Sequence, residues 1–491
     1  MTRATDDRPS VLFIASEAQP FAKSGGLADV VGALPPAVAR LGWDVRVALP
    51  RYRDVTAGTL MERVRVTMGG HAYDVGYFDA AMPSGVRALL IDCAELYDRD
   101  SLYGPRNTDY RDNARRFALL ARAALEFSAR TPPVPTVVHA HDWQAGLAPV
   151  YLRTRYAAHP VIGRTPSVFT IHNLAYQGNF DADWLARLDL TPDLLTPERL
   201  EYWGQVSFLK GGINAADVIT TVSPRYADEI QTPESGFGFD GIIRARHERV
   251  VGILNGIDIH EWDPATDPFL PAPFSAARLD GKAASKVEVF RRYKMPHDAD
   301  ALRRPLIGMV SRMVDQKGLD LLGALADELP RLAASFVILG TGAPEYEQFW
   351  TRLAANHPDR IGVRVGFDES LAHVIEAGSD MFLMPSRYEP CGLNQMYSLR
   401  YGTVPIVRAV GGLADTVRDS APGVVRPTGF VFHDYSPAAL FETLERALRA
   451  FAEPARWRDL QLAGMAEDHS WDRSAAEYVK IYDWALRLRP S

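Results

Sequence analysis

Short runs of β-branched and apolar residues alternate with longer helical patterns from one end of this chain to the other, and that alternation is the tightest constraint on its fold. A strand followed by a helix before the next strand returns to the sheet in parallel, so the pattern specifies parallel sheets covered by crossover helices. The candidate strands fall into two sets. The first holds 11–16, 44–49, 87–91, 136–139, 167–171, 218–222 and 250–254, and the second holds 306–310, 335–339, 362–365, 381–384 and 404–407. Between them, in 258–274, four prolines (Pro264, Pro268, Pro271 and Pro273) forbid a regular helix or central strand. This stretch is the expected linker and hinge.

The organisation expected is α/β: a doubly wound domain over 1–262, a second over 263–470, and a terminal helix at 471–491 that packs back on the body. Tyr478, Ile481, Tyr482, Ala485 and Leu486 give that last segment its amphipathic spacing. Two full cores are affordable in composition, with 47% hydrophobic and 23% charged residues. A net charge of −7 supplies no basic coat, so no nucleic-acid partner is expected. Two cysteines, Cys93 and Cys391, are too few for a disulfide framework or a cysteine-based zinc site and suit a reducing compartment. The apolar run 11–15 is too short for an export signal's core, and no stretch reaches the ~20 apolar residues that span a bilayer. A soluble, cytoplasmic protein without a membrane partner is expected; oligomeric state is not legible.

Doubly wound sheets bind ligands at the carboxyl ends of their strands, which directs attention to the motifs there. Lys23-Ser-Gly-Gly-Leu-Ala-Asp-Val30 leads from a strand into a helix. Gly25 and Gly26 would let a ligand approach the backbone, and the first helix amides suit phosphate, with Lys23 adding a charge. The alternative is a tight turn with a solvated lysine; no Gly-Lys-Ser/Thr ends the loop, so it is not a P-loop. Gly411-Gly-Leu-Ala-Asp-Thr-Val417 repeats Gly25–Val31 with one difference in seven positions. Two equivalent ligand-facing loops, one on each wall of a cleft, are therefore expected.

His139, His141, Asp142 and His172 have the residue types of a metal site. His139 and His141, two apart, are expected on opposite faces of a strand, and no second tight ligand pair follows. Hydrogen bonding to a polar substrate, or a structural role, is the reading that remains. Asp142 and Trp143 suit a sugar, the carboxylate accepting from hydroxyls and the indole covering ring C–H groups. In the second half, Arg312 and Lys317 follow a strand end and form either a cationic clamp for a leaving diphosphate or two surface cations. Glu389 precedes a helix, as its cap or as a catalytic carboxylate. Gly340-Thr-Gly342 opens like a dinucleotide fingerprint, but Glu345 stands where the third glycine belongs. The Asp-x-Asp pairs 98/100, 181/183 and 298/300 follow no apolar strand, so no metal is expected.

Taken in order, Lys23–Val30, His141-Asp-Trp143, Thr170-Ile-His-Asn173, Asn255-Gly-Ile-Asp258, Ser311-Arg312 with Gln316-Lys-Gly318, and Glu389-Pro-Cys-Gly-Leu393 give the whole chain a resemblance to the bacterial glycogen synthases and plant starch synthases. The resemblance implies the GT-B fold, two Rossmann-like domains facing across a deep cleft. It implies a retaining, metal-independent glucosyltransferase that adds glucose from ADP-glucose to the non-reducing end of glycogen or another α-1,4-glucan. Lys23, Gly25 and Gly26 match the family's loop on the nucleotide-diphosphate side. Arg312 and Lys317 match its phosphate clamp, Glu389 the carboxylate beside the transferred glucose, and His172 the histidine facing the anomeric centre. Asp142 matches a residue bordering the sugar and Asn255 an active-site asparagine; Cys391, Gly392 and Leu393 match the helix start that receives phosphate. Two positions depart from the common bacterial motif: Ser24 for threonine, which keeps a hydroxyl, and Gln144 for histidine, which removes a titratable group. A relative using UDP-glucose or another acceptor, or a glucan-binding protein without turnover, is the competing expectation.

Overall fold

The computed structural model describes residues 8–105 and 108–489. These form two compact units, one drawn from residues 8–105, 108–222, 227–256 and 471–489, the other from Ser223–Tyr226 and Ile257–Ser470.

In the first unit nine strands pair in the order Val250–Gly252, Val218–Thr221, Ser167–Ile171, Val137–His141, Ser10–Ile14, Asp44–Pro50, Arg87–Asp92, His71–Ala81 and Thr59–Met68. All pairs are parallel except those made by His71–Ala81 with its two neighbours. Ser10–Ile14, Val137–His141 and Ser167–Ile171 are buried at every residue, as central parallel strands covered on both faces must be. The chain runs outward in both directions from Ser10–Ile14, which makes the gap between it and Val137–His141 the topological switch point. The helix Trp471–Leu488 belongs to this unit. Tyr478, Tyr482 and Ala485 are buried on it, the Ser474 hydroxyl donates to the Leu254 carbonyl at 2.6 Å, and Arg489 just beyond it reaches Asp217 at 2.5 Å.

The second unit holds a six-stranded, wholly parallel sheet in the order Ile361–Val365, Ser335–Gly340, Leu306–Val310, Met381–Met384, Val404–Arg408 and Phe430–Phe432. Period-two alternation splits its core between two faces. Ile307, Phe336, Ile338, Met381, Leu383 and Ile406 join one cluster, while Leu306, Val337, Leu339, Phe382 and Val407 join the other. Here the switch point lies between Leu306–Val310 and Met381–Met384.

The expected linker is not one. The second unit begins at Ile257, before the expected boundary at 262/263, and residues 258–274 are folded into it. Trp262 stacks between the rings of His373 and Tyr397 at centroid distances of 3.7 and 3.8 Å. Buried Asp267 accepts from the Tyr401 hydroxyl at 2.6 Å, and Phe274 is buried. Prolines exclude ladder and helix, but aspartates shape the strap instead. The carboxylates of Asp258, Asp263 and Asp267 accept from the backbone N–H of His260, Ala265 and Phe269 at 2.9–3.0 Å. Among the described residues no helix is long and apolar enough to cross a membrane.

Candidate active site

In the first unit the candidate residues gather where Ser10–Ile14, Val137–His141 and Ser167–Ile171 end. Glu17, which the sequence reading passed over, organises the glycine loop. Its carboxylate accepts from the Ser24 hydroxyl at 2.7 Å, from the Ser24 and Gly25 backbone N–H groups and from the Tyr103 hydroxyl. Its only sequence signal is an acid directly after a buried strand. The helix Gly26–Arg40 then starts with no side chain capping it. Among the described residues a Cβ at Gly25 or Gly26 would meet nothing within 4 Å, so their packing does not require glycine there. Lys23 is half-exposed and pairs with Asp29 at 2.7 Å.

The histidines form a buried chain. Residues two apart on a strand share a face, and the rings of His139 and His141 lie 4.1 Å apart, so the expectation of opposite faces is wrong. His139 contacts the Tyr482 hydroxyl through Nδ1 at 2.9 Å and the Thr170 hydroxyl through Nε2 at 2.6 Å, and Thr170 meets Thr220 at 2.6 Å. His141 Nδ1 meets His172 Nε2 at 2.9 Å. Burial holds all three imidazoles neutral, pushing His172 down to about 3 and the other two well below their ordinary range. One ring of the His141–His172 pair therefore donates and the other accepts.

Asp142 sits at φ +53°, a left-handed conformation uncommon for a residue with a side chain. There it accepts from the His172 backbone N–H at 2.7 Å and from that of Asn173, fixing the loop that carries His172. Burial pushes its carboxyl up to about 7; those two donors oppose the shift and the Glu17 charge adds to it. Trp143 does not offer its face to a sugar. It is buried, edge-on to Phe117 at 5.1 Å, and a Cβ on Gly178 would lie 2.5 Å from its ring. Among the described residues Gln144 is buried with Oε1 unpartnered, and Asn255 is buried with Oδ1 unpartnered on the loop after Val250–Gly252.

In the second unit Lys317 and Glu389, 72 residues apart, come together at the switch point. Lys317 Nζ lies 2.6 Å from Glu389 Oε2, and the Ser386 hydroxyl donates to the same oxygen at 2.8 Å. Glu389 is therefore no helix cap; its side chain is 7% exposed and belongs to a part-buried ion pair. The turn carrying Lys317 closes on Gly318, at φ +70°, where a Cβ would lie 2.0 Å from the Pro385 carbonyl oxygen. Glycine at that point lets the two strand ends approach. Arg312 donates to Gln316 at 3.3 Å, and Gln316 donates to the Tyr388 carbonyl and accepts from the Arg387 backbone N–H, so clamp and carboxylate share one scaffold. Cys391 is buried, Gly392 turns the chain at φ +72°, and Leu393 stands at the uncapped start of the helix Asn394–Arg400.

The chain is similar to known proteins along nearly its whole length. Residues 10–245 match the starch synthase catalytic domain family and residues 295–459 the glycosyl transferases group 1 family. A glycogen synthase of Koribacter versatilis is 48% identical over 98% of this chain and 99% of its own, and one of Syntrophotalea carbinolica is 46% identical over 98% and 99%. The catalytic domain of starch synthase IV from Arabidopsis thaliana, solved bound to ADP and acarbose, superposes with a TM-score of 0.90 at 32% identity, covering 98% of this chain and all of that one. A sucrose-phosphate synthase of Thermosynechococcus elongatus shares the fold at a TM-score of 0.62 and 19% identity, over 98% of this chain and all of its own.

Proposed function

This chain belongs to the glycogen and starch synthase family of glycosyltransferases, with the GT-B fold, and on that premise we propose that it uses ADP-glucose as donor, transferring glucose with retention to the non-reducing end of an α-1,4-glucan and releasing ADP. The observation that carries the proposal is the part-buried Lys317–Glu389 pair at the carboxyl ends of the second sheet. Breaking the bond between C1 and the diphosphate leaves positive charge on the glucosyl group and sends the electron pair to the departing phosphate oxygen. A site for this reaction needs a negative group at C1 and positive groups at the phosphates.

Glu389 has the first task and Arg312 with Lys317 the second. In the free protein Lys317 and Glu389 satisfy each other, which avoids an uncompensated buried charge. An arriving diphosphate competes for Lys317 and leaves the carboxylate to face the sugar. The role proposed for Lys23 and the open amides after Gly25 and Gly26 is binding donor phosphate. His172, neutral and tied to His141, is proposed to present its backbone and ring to the glucosyl group, with Asp142 holding its loop. Asn255 is assigned to donor binding, and the Cys391–Leu393 turn to phosphate binding. The phosphate charge is met by these groups without a metal, and turnover should persist in excess EDTA.

That the Arabidopsis structure holds ADP supports an adenine-linked donor. The test is label transfer to glycogen from ADP-, UDP- and GDP-glucose in competition. ADP-glucose should dominate, and a preference for UDP-glucose would overturn the donor assignment.

A further inference from the structure

The second unit carries a set of ligating side chains that glucosyl transfer does not use. Glu369 and His373 stand four residues apart on the helix Glu369–Gly378 and so share a face, while Glu261 comes from the proline-rich strap. One ligating atom from each of the three lies within 4.8 Å of the other two. The two carboxylates are exposed, but His373 is 1% exposed.

Its imidazole is held on every side. Nδ1 lies 2.8 Å from the buried Asp267 carboxylate, which also takes the Tyr401 hydroxyl, and Trp262 stacks on the ring 12° from parallel. Phe269 packs against it at 4.9 Å. In the neutral ring with Nδ1–H donating to Asp267 the lone pair is on Nε2, and among the described residues Nε2 is buried with no hydrogen-bond partner. A carboxylate that fixes the tautomer and orients the free nitrogen is the arrangement that supports a metal-bound histidine. Here Nε2 is desolvated, and a ligating oxygen of each carboxylate lies within 4.8 Å of a nitrogen of this ring.

We propose that Glu261, Glu369 and His373 bind one divalent cation of the zinc class, which ties the strap 258–274 to the helix Glu369–Gly378. One imidazole and two carboxylates suit zinc or cobalt with a water in a fourth position. They are too few oxygens for calcium, and magnesium does not favour imidazole. The site departs from the sequence-based expectation of no metal, which weighed the first unit's histidines and the Asp-x-Asp pairs and passed over these three residues. The cation has no part in glucosyl transfer and is predicted to act on the fold.

The test is to treat the full chain with EDTA, remove the chelator and titrate with Co²⁺, following the visible absorption of low-symmetry cobalt, then to compete with Zn²⁺. One equivalent should bind, Zn²⁺ should displace it, and thermal unfolding should shift upward with metal. Glu369→Gln alters an exposed side chain and should weaken binding at least tenfold with little change in the metal-free melting temperature. His373→Gln should abolish binding; because Asp267 and Trp262 pack on it, Glu369→Gln is the deciding variant. No stoichiometric binding, or equal binding by Glu369→Gln, would overturn the site. Transfer from the donor is assayed separately in EDTA, so failure of the metal site leaves the proposed reaction untouched.

Discussion

Gly25-Gly-Leu-Ala-Asp-Val-Val31 and Gly411-Gly-Leu-Ala-Asp-Thr-Val417 differ at one residue and do opposite things. At the first, a Cβ on either glycine would enter open space. At the second, Gly411 stands at φ +42° with a would-be Cβ 1.9 Å from the Glu389 carbonyl oxygen, and a Cβ on Gly412 would lie 2.1 Å from that of Cys391. The Gly412 N–H donates to the Glu389 and Pro390 carbonyls at 3.3 and 3.1 Å. The shared aspartate diverges as well: Asp29 pairs with Lys23, whereas Asp415 accepts from the Arg225 backbone N–H at 2.8 Å. The two loops are therefore not equivalent: the second buttresses Glu389, and that packing alone accounts for its glycines. Identical glycines can leave room for a ligand or for another stretch of backbone, and only the neighbouring chain decides which.

The contrast breaks most directly at the group the buttress holds. Glu389→Gln should still fold, less stably than the parent because Lys317 loses its counter-charge, and should lose turnover by about 10²–10³-fold, as for one electrostatic element of a transition state; labelled-glucose transfer within about tenfold of the parent would leave the buttress with nothing catalytic to support. Next, Gly412→Ala should fail on both counts. Overpacking costs about 1–3 kcal/mol, and a carboxylate displaced by about 1 Å loses on the order of 10² in rate. Calorimetry and transfer rates measured together should fall together.

The two regions also differ in charge, neutral histidines in one and an ion pair in the other, and pH separates them. His172, held near 3 against an ordinary 6.5, contributes stability that is complete above 6.5 and lost as pH falls toward 3; His139 and His141 act in the same direction. Asp142, raised from 3.8 to about 7, acts oppositely, its contribution complete below 3.8 and lost as pH rises to 7. Three groups against one predict a melting temperature that falls by a few degrees between pH 7 and 5, more steeply in Asp142→Asn. A flat profile would mean the histidines charge without penalty.

At the open loop the effects are smaller. Gly26→Ala should leave stability within about 0.5 kcal/mol while transfer drops about tenfold, near 1.4 kcal/mol, if the donor approaches that backbone. Equal losses at Gly26 and Gly412 would erase the comparison. Smallest of all, a Lys23→Ala and Asp29→Ala double-mutant cycle should give a coupling of less than about 1 kcal/mol, as exposed pairs do.

The expected central strands were legible because parallel strands covered on both faces are continuous apolar runs. The antiparallel pair Thr59–Met68 and His71–Ala81 was not, since one face is exposed and its residues are polar; only the Gly69-Gly70 turn announced it. The strap 258–274 was misread because proline reports which hydrogen bonds are impossible and says nothing about packing. Lys317 and Glu389 could be named from motifs, but a 2.6 Å pairing across 72 residues is a property of sheet order. Glu17 and Tyr103 belong to no motif, and Trp143 was given a surface role because its neighbours Phe117 and Phe180 are distant in sequence.

The helix Trp471–Leu488 sets a schedule on the ribosome. Residues 257–470 emerge as one nearly continuous stretch and contain the whole second sheet. The first unit, begun earlier, lacks the side chain that satisfies His139 Nδ1 until Tyr482 has been made. Some 215 residues separate Gly256 from Trp471, about 10–40 s of translation at typical rates. Through that interval the histidine chain has one wall missing, and the apolar surface that Tyr478 and Tyr482 will cover stays open. The helix Trp471–Leu488 thus closes a unit begun more than 200 residues earlier, and the unit translated second is the first able to finish.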